Sequence, residues 1–327
     1  MDGACSRVQM FAMVNSQNLA TRSWADQPFL RKVRDFFRFA SLLLNPSRRG
    51  SNTLYELIST SNYFTERTLF RNLGYWKDSP ATLDDACEAM ARLAGEAAKL
   101  GPNDRVLDAG FGFGDQDMYW AEHFQPKQII GINVTDSQVE LAQKRVAERG
   151  LSDRVTLQKG SATQLPFENA SFDKVIALES AFHFDTREDF LREALRVLKP
   201  GGRIVLLDMI PMPDQKVNPF LKFALGIGFQ LWQMNAKNLY DRNIYADKLR
   251  EAGFENASVE SIQEHVAPHF TRYVVKQLAN PEISRRFNPA VRWMLNPAGA
   301  RDESEIKSKS VGYELDYVLA VADKPAH

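Results

Sequence analysis

The sequence has few of the residues that stabilise secreted or metal-binding domains. Among its 327 residues there are two cysteines, Cys5 and Cys87, and five histidines. The two cysteines lie far apart, and neither belongs to a CxxC pair or to another metal-ligand spacing. This pattern argues against a disulfide framework and against a zinc site. It favours a reducing compartment, so we expect a cytoplasmic protein.

The sequence also lacks an excess of either charge. Lys plus Arg and Asp plus Glu number 41 each, so the formal net charge is zero. A neutral chain has no global electrostatic footprint for nucleic acid or for an acidic membrane surface. No run approaches the roughly 18 apolar residues of a membrane span, and the N-terminus has no signal pattern. We therefore expect no nucleic-acid partner, no secretion and no stable membrane insertion.

One amphipathic stretch, residues 28–50, has apolar residues at helical spacing with basic residues between them. The apolar positions are Phe29, Val33, Phe36, Phe37, Ala40 and Leu43. Such a helix either lies on a membrane surface or docks on its own domain and covers a substrate pocket. The second interpretation is favoured, because a monomeric chain usually buries such a stripe against itself.

Strand and helix patterns alternate from about residue 85 to residue 208. Short apolar runs such as "RVLDAG" and "RIVLLDMI" alternate with amphipathic segments such as "DSQVELAQKRVAERG". This alternation predicts an α/β fold with a mainly parallel, doubly wound sheet covered on both faces. Ligands of such sheets bind beyond the carboxyl ends of the strands. The candidate binding residues are therefore Asp108 to Gly114, Asn133, Gly160 to Gln164, Glu179 to His183, and Asp208.

The alternation stops after Pro213. Residues 214–242 are aromatic without strand signals, "IYADKLREAGFENASVESIQ" predicts a helix and then a strand, and residues 264–300 are again helical. The final "YELDYVLAVADK" alternates like an edge strand. We expect a helical arm in 1–75, a ligand-binding core in 76–213, and lid helices with C-terminal strands that complete the sheet in 214–327. The arm and the insertions would cover the carboxyl edge of the sheet.

The glycine loop "VLDAGFGFGDQD", residues 106–117, restricts the ligand. Its spacing is Gly110-x-Gly112-x-Gly114 instead of the GxGxxG of dinucleotide sites, and Asp115 and Asp117 follow. These carboxylates would stand where a pyrophosphate approaches the next helix, a position that normally attracts anions. NAD and FAD therefore fit poorly. S-adenosylmethionine (SAM) fits better, because it carries a sulfonium and an ammonium and no phosphate.

Four ordered segments carry a resemblance to a known family. "VLDAGFGFG", "GINVTDSQ", "GSATQLPFENASFDKV" and "LREALRVLKPGGRIVLLD" resemble the motifs of class I SAM-dependent methyltransferases. "NLGYW" and "ESAFHFDTREDFLREALRVLKPGG" are similar to its small-molecule group, which contains sugar and macrolide O-methyltransferases, quinone and tocopherol methyltransferases, and sterol or prenyl-diphosphate C-methyltransferases. The resemblance implies a Rossmann-like, seven-stranded mixed sheet, a SAM-binding core in 76–213, and S-adenosylhomocysteine (SAH) as product.

The resemblance also assigns the residues that hold SAM. They are Asp108, Gly110, Phe111, Gly112, Gly114, Asn133, Val134, Gln138, Ser161, Ala162, Thr163 and Glu179. Asp108 and the loop from Gly110 to Gly114 would hold the amino-acid end of SAM. Glycines suit this loop, because a Cβ would block close approach of the ligand to the backbone.

Two positions depart from the family pattern. Asn133 replaces the acid that usually bridges the ribose hydroxyls, although an amide still bonds both as donor and acceptor. Ser161 replaces the acid that usually accepts from the adenine amino group, so either Ser161 and the Ala162 amide suffice or Gln164 contributes. Gln138 either lines the ribose or is a solvated helix residue. A scaffolding protein without methyl transfer is the remaining alternative, and the intact glycine loop argues against it.

Two side chains near the end of the fourth predicted strand are the catalytic candidates. Methyl transfer is an in-line displacement that needs a base only when the acceptor must lose a proton. His183 resembles the base of O-methylating relatives, and histidine titrates near neutrality; alternatively it caps or packs the next helix. Glu179 resembles the glutamate that faces a carbocation in C-methylating relatives; alternatively it contacts the methionine moiety or a backbone amide.

The acceptor is predicted less specifically. We expect methylation of a hydroxyl on a small, fairly apolar, natural-product-like acceptor of secondary metabolism; the alternative is C-methylation, with or without cyclisation, of a prenyl diphosphate or terpenoid. The predicted lining residues are Trp76, Tyr75, Trp232 and Tyr240. Asp208 either points into this pocket or caps a loop. No acidic DDxxD-type metal motif is present, so no resident metal is expected. The sequence leaves both a monomer and a homodimer as alternatives.

Overall fold

The structure is a computed structural model that describes residues 28–30, 32, 33, 37, 64–212, 234–287, 289, 292 and 315–327. Phe29, Leu30 and Phe37 are helical and exposed. The rest of the amphipathic stretch and Trp232 lie outside the described residues. So do most of the predicted arm and the whole segment from 213 to 233.

Apart from isolated helical residues such as Phe29, Leu30 and Phe37, the described part of the chain contains seven helices and seven strands. The helices are α1 Leu83–Ala98, α2 Asp115–His123, α3 Asp136–Glu148, α4 Arg187–Val197, α5 Arg242–Glu251, α6 Ala267–Ala279 and α7 Pro281–Arg286. The strands are β1 Arg105–Ala109, β2 Gln128–Asn133, β3 Val155–Lys159, β4 Phe172–Leu178, β5 Leu198–Pro211, β6 Glu255–Ser261 and β7 Leu315–Asp323. Short 3₁₀ turns span Ala181–His183, Ala236–Asn238 and Gln263–His265.

The strands form one mixed sheet in the order β3-β2-β1-β4-β5-β7-β6. The first five are parallel to one another, and β7 runs antiparallel to both β5 and β6. Chain order reverses at β1, which pairs with β2 on one side and β4 on the other. This reversal places a crevice at the carboxyl ends of the strands. The predicted doubly wound, seven-stranded mixed sheet is confirmed.

The prediction that the C-terminal strand lies at the edge is wrong. β7 is hydrogen-bonded on both sides, and β6 is the edge strand. Tyr317 and Val318 are successive buried residues of β7, whereas β6 has mostly exposed side chains. Alternation along a strand reports which face is covered. It carries no information on how many neighbouring strands there are, so the two positions could not be separated from the pattern.

Helices cover both faces of the sheet because successive strand residues point to opposite sides. In β1, Val106 packs into the cluster with α1, α2 and α3, while Leu107 packs into the cluster with α4 and α5. The start of α4 is fixed locally, because the side chain of Thr186 accepts from the backbone N–H of Asp189 and caps the helix. None of the helices in the described part of the chain is long and apolar enough to cross a membrane.

Candidate active site

A cleft of about 290 Å³ opens at the carboxyl ends of β1, β2 and β4. It brings together most of the residues predicted from the sequence. These are Gly110, Gly112, Asn133, Val134, Gln138, Ser161, Ala162, Thr163, Glu179 and His183. Asp108, Phe111 and Gly114 are buried and do not line it. The cleft is therefore at the place that the strand order predicts.

Glycine is required in the floor of the cleft for two different reasons. Gly110 has φ +99°, and a Cβ there would lie 2.4 Å from the Cβ of Ser180, which follows β4. The Ser180 hydroxyl also donates to the carbonyl of Ala109 at 2.5 Å, so the ends of β1 and β4 touch. Gly112 has φ +57° and more space, since a Cβ there would lie 3.5 Å from Cγ of Arg71. At Gly112 the left-handed backbone itself favours glycine.

The two acids after the loop do not face the cleft, so that part of the sequence prediction is wrong. Asp115 accepts two hydrogen bonds from Arg145 of α3, at 2.6 and 2.7 Å, and one from the backbone N–H of Leu69 at 3.1 Å. Asp117 is fully buried. The negative charge predicted to repel a phosphate is therefore neutralised by an arginine at one position and removed from the surface at the other.

Asp108 and Asp117 form a buried pair of carboxyls behind the loop. Neither accepts a well-formed hydrogen bond within the described chain, and both are fully buried. Burial raises the pKa of Asp108 to about 7. Burial and then the charge of Asp108 raise the pKa of Asp117 well above its usual value. Gly131 of β2 leaves room for the pair, since a Cβ there would lie 3.2 Å from Asp117 Oδ1.

Asn133, at the end of β2, is held between the glycine loop and α3. Its Nδ2 donates to Oε1 of Gln138 at 2.8 Å and to the carbonyl of Gly112 at 3.3 Å. Its Oδ1 accepts from the backbone N–H of Thr135 at 3.2 Å. Gln138 is buried and lines the cleft, which rules out a solvated helix position. Two amide side chains therefore stand together where the family places a ribose.

The turn after β3 contributes an apolar and a polar face. Ala162 is buried, whereas Ser161 is exposed. The Ser161 hydroxyl lies 3.0 Å from that of Thr163 and accepts from the Thr163 backbone N–H at 3.3 Å. Gln164 is exposed and does not line the cleft. Ser161 is thus fixed by its own turn, and the geometry gives Gln164 no part in the cleft.

Glu179 connects three distant parts of the chain. It directly follows β4 with the left-handed φ of +50°. Its Oε1 accepts from the backbone N–H of Leu73 at 2.7 Å and from the hydroxyl of Tyr317 at 2.6 Å. Burial raises its pKa to about 7 although both hydrogen bonds oppose the rise. Among the sequence alternatives, the contact with a backbone amide is the one that the structure shows.

His183 ends the 3₁₀ turn Ala181–His183 and lines the cleft together with Phe184 and Asp185. Its backbone N–H donates to the carbonyl of Ser180 at 3.0 Å. Its ring packs on Phe182 with centroids 3.9 Å apart. The imidazole therefore stands at the cleft wall, on a turn fixed to the end of β4.

The described aromatic residues predicted to line the acceptor pocket do not line the cleft. Trp76 is buried against Tyr273 and donates to the carbonyl of Leu73 at 2.9 Å. Tyr75 packs edge-on against His265. Tyr240 is buried over the guanidinium of Arg187. Helical or clustered aromatic residues usually belong to the core, and these three follow that rule.

Asp208 does not point into the cleft. It is fully buried and accepts from Arg187 Nε at 2.6 Å and from the hydroxyl of Tyr245 at 3.0 Å. The cleft instead contains residues that the sequence analysis did not name, among them Arg71, Asn72 and Gln116. The segment "NLGYW", which carried part of the family resemblance, begins at Asn72 and was the available signal.

Comparison with known proteins agrees with this geometry. A family model described as "Methyltransferase domain" matches residues 107–206. The erythromycin 3''-O-methyltransferase of Saccharopolyspora erythraea is 35% identical over 294 residues, which are 86% of this chain and 92% of that protein. The chain belongs to the class I SAM-dependent methyltransferases. The enzyme transfers a methyl group to a small molecule, and its cofactor is SAM.

Two further similarities extend over most of this methyltransferase. The 27-O-demethylrifamycin SV methyltransferase of Amycolatopsis mediterranei is 32% identical over 261 residues, covering 77% of this chain and 89% of that protein. The crystal structure of the cyclase SpnF superposes with a TM-score of 0.62 at 24% identity, covering 90% of this chain and 96% of that one. At that identity the second similarity supports the fold alone.

The residues of the cleft fit SAM. At Gly110 and Gly112 the floor has no side chain, so an amino-acid group can approach the backbone closely. The paired amides of Asn133 and Gln138 offer donors and acceptors to a diol. Arg71 lines the cleft with its Cγ beside Gly112, and an arginine side chain suits a carboxylate. These residues would hold the methionine and ribose parts of the cofactor.

Proposed function

We propose that this methyltransferase methylates a hydroxyl oxygen of a natural product and that His183 is the general base. The main support for this proposal is that His183 lines the cofactor cleft, on the turn after β4. Two relatives matched over most of their length are named as an erythromycin 3''-O-methyltransferase and a 27-O-demethylrifamycin SV methyltransferase. A hydroxyl acceptor must lose its proton during transfer, so a base near the reacting atoms accelerates the reaction.

The residues of the chain divide the work between binding and proton transfer. SAM supplies an electrophilic methyl group when it is bound. The glycine loop and the amides of Asn133 and Gln138 bind and orient the cofactor, which aligns the methyl group for in-line attack. An imidazole nitrogen of His183 accepts the hydroxyl proton. Phe184 lies beside His183 in the cleft wall and contributes apolar surface that excludes water.

In this proposal Glu179 holds neighbouring parts of the chain in place by accepting hydrogen bonds, and it does not act as a base towards a carbocation. Its Oε1 already accepts two short hydrogen bonds, from Leu73 and Tyr317. These bonds fix the segment around Leu73 against the end of β4, next to Arg71 and Asn72 in the cleft lining. Prenyl C-methylation is therefore not the favoured function.

The test is methyl transfer from isotopically labelled SAM to desmethyl macrolides, desmethyl ansamycins, simple phenols and geranyl diphosphate. Mass spectrometry and NMR then identify the methylated atom. We expect an O-methyl ether. With that acceptor, His183→Gln should lower kcat by about 10²- to 10⁴-fold while the SAH dissociation constant changes little.

The matched control is His123→Gln, on the exposed end of α2, where the ring stacks on Tyr119. It should leave kcat unchanged. Wild-type turnover by His183→Gln would refute the base, and a C-methylated product would refute the hydroxyl acceptor. SAH binding without transfer to any acceptor of the panel would refute these acceptor classes.

A further inference from the structure

The turn that carries His183 is held by one buried asparagine from a distant part of the chain. Asn238 lies in the 3₁₀ turn Ala236–Asn238 and is fully buried. Its Nδ2 donates to the carbonyls of Phe184 at 2.9 Å, Phe182 at 3.3 Å and Ala181 at 3.4 Å. Its Oδ1 accepts from the backbone N–H of Arg187 at 2.9 Å. One side chain therefore contacts both the 3₁₀ turn and the start of α4.

Asn238 is itself fixed by a buried arginine. The guanidinium of Arg187 donates to the backbone carbonyl of Asn238, to the carbonyl of Met209 at 3.1 Å and to Asp208 Oδ2 at 2.6 Å. Because Asp208 belongs to β5, this network joins the central sheet to the turn of His183 through Asn238. Hydrogen bonds that involve charged groups are stronger and less easily rearranged than neutral ones.

The carbonyl of Phe184 is the point at which this network meets the cleft. Within the described chain, the side chains that donate to it are Asn238 and, at 3.4 Å, Asn235. His183, Phe184 and Asp185 are consecutive residues of the cleft lining. The hydrogen bonds of the Asn238 side chain go to residues 181–187 and to none of the residues around the glycine loop or Asn133. They are thus confined to the wall on which the base stands.

We propose that Asn238 is a positioning residue that sets His183 at the acceptor side of the cleft. The inference rests on the proposed role of His183 as base. A misplacement of a catalytic group by about 1 Å can cost on the order of 10²-fold in rate. Asn238 therefore controls kcat with the acceptor and has little influence on cofactor binding.

The test is a double-mutant cycle of Asn238→Asp, His183→Ala and the double variant. Aspartate is isosteric and keeps the acceptor for the Arg187 N–H, but it cannot donate to the three carbonyls. Measurements are kcat and KM for the acceptor, SAH affinity by calorimetry, and thermal unfolding. We expect Asn238→Asp to lower kcat by about 10- to 100-fold with an SAH affinity within a few-fold of wild type. In the His183→Ala background, the same substitution should have no further effect on the residual rate.

Two additional variants keep the test decisive. Asn235→Ala removes the other side-chain donor to Phe184, together with a hydrogen bond to the carbonyl of Asp185 and the cap of the 3₁₀ turn that contains Asn238. Because Asn235 is partly exposed, this variant should fold even if Asn238→Asp does not, and it should lower kcat by a few-fold. Arg203→Met removes hydrogen bonds that join β5 to β7 and that lie outside the network of Asn238. It should lower stability and leave kcat unchanged.

Each outcome separates the two proposals. Wild-type kcat in both asparagine variants, alongside a large loss in His183→Ala, would overturn the role of Asn238 and leave the base standing. An equal loss from Asn238→Asp in the presence and absence of His183 would also overturn it, because the residue would then act by another route. Wild-type turnover in His183→Ala would overturn both.

Discussion

Two aspartates at the carboxyl ends of parallel strands show contrasting ways to bury an acid. Asp208 ends the continuous buried run of β5 and accepts from Arg187, from Tyr245 and from the backbone N–H of Met209. Asp108, on β1, is equally buried but faces Asp117 without a well-formed donor. The carboxylate of Asp208 is stabilised by the guanidinium of Arg187. Asp108 responds to its surroundings with a pKa raised to about 7.

The contrast assigns different behaviour to the two halves of the site. Arg187 remains charged at every physiological pH, so the network beneath the His183 turn keeps its positive charge. The carboxyl pair lies beneath the glycine loop and changes its proton content near neutrality. The dependence of stability on pH that this pair contributes should therefore arise on the cofactor side of the cleft, whereas sensitivity to loss of a charge partner should arise around Asp208.

The largest expected effect follows from removing Arg187, the arginine that pairs with Asp208. Arg187→Met keeps much of the volume but leaves Asp208 buried without its counter-charge. We expect a loss of about 3 to 5 kcal/mol in the free energy of unfolding, measured in urea near neutral pH. Arg192→Gln, which breaks an exposed pair with Asp189 on α4, is the control and should change stability by less than about 0.5 kcal/mol. A loss below about 1 kcal/mol in Arg187→Met would mean that Asp208 is relieved in another way.

A second effect is a decrease of stability with rising pH. Asp108 has a pKa of about 7 when folded, against about 4 in an unfolded chain. Between these values the folded protein binds more protons than the unfolded chain, so the free energy of unfolding falls as pH rises. Glu179, with a pKa of about 7, acts in the same direction. Urea unfolding between about pH 5 and 8 should show a fall on the order of a few kcal/mol.

The control for this pH dependence is Asp108→Asn, whose amide does not titrate. Its free energy of unfolding should fall less steeply with pH than that of the wild type, because one of the groups with a raised pKa is gone. If the two curves are parallel, Asp108 has the same pKa in the folded and unfolded chains.

A smaller effect is expected from placing a permanent hydrogen-bond donor beside the carboxylate of Asp108. Asp117→Asn has the same shape, and its amide can donate to the carboxylate of Asp108. At about pH 8 we expect the variant to be more stable than the wild type by about 1 to 3 kcal/mol, with the difference shrinking towards pH 5. Asp136→Asn, at an exposed pair with Lys159, should show no such gain. A loss of stability at high pH would show that the Asp117 carboxylate has a donor in solution.

Much of the cleft could be predicted because its residues end strands. The pattern of apolar runs locates Asn133, Ser161, Glu179 and His183 at such ends, and parallel strands bring their carboxyl ends to one edge of a sheet. The glycine loop was equally visible in the sequence, because the positive φ angles at Gly110, Gly112 and Gly114 favour glycine. Local pattern was sufficient wherever an element's own geometry decides the position of a residue.

The partners of buried polar groups could not be predicted in the same way. Nothing local distinguishes Arg187, a fully buried arginine at the start of an amphipathic helix, from an exposed one. Its neighbours Asp208 and Asn238 come from other elements, and so does Arg71 of the cleft lining. Trp76 and Tyr240 were predicted in the acceptor pocket from their chemistry alone, whereas the structure buries each of them in one of the two hydrophobic clusters. Contacts between elements depend on the assembled sheet, and a single sequence does not encode them locally.

The smallest effect is expected where an arginine pairs with an acid that solvent still reaches. Arg203 and Asp323 join β5 to β7 at 2.7 Å, with each side chain about one-fifth exposed. Although burial opposes it, hydrogen bonds from Arg203 and Asn256 lower the pKa of Asp323. Water still stabilises the carboxylate when the arginine is lost, so Arg203→Met should cost only about 1 kcal/mol or less. Urea unfolding beside Arg187→Met compares the two pairs directly. Equal losses would show that burial does not decide the contribution of an arginine–aspartate pair in this sheet, and the contrast between the two strand ends would lose its physical basis.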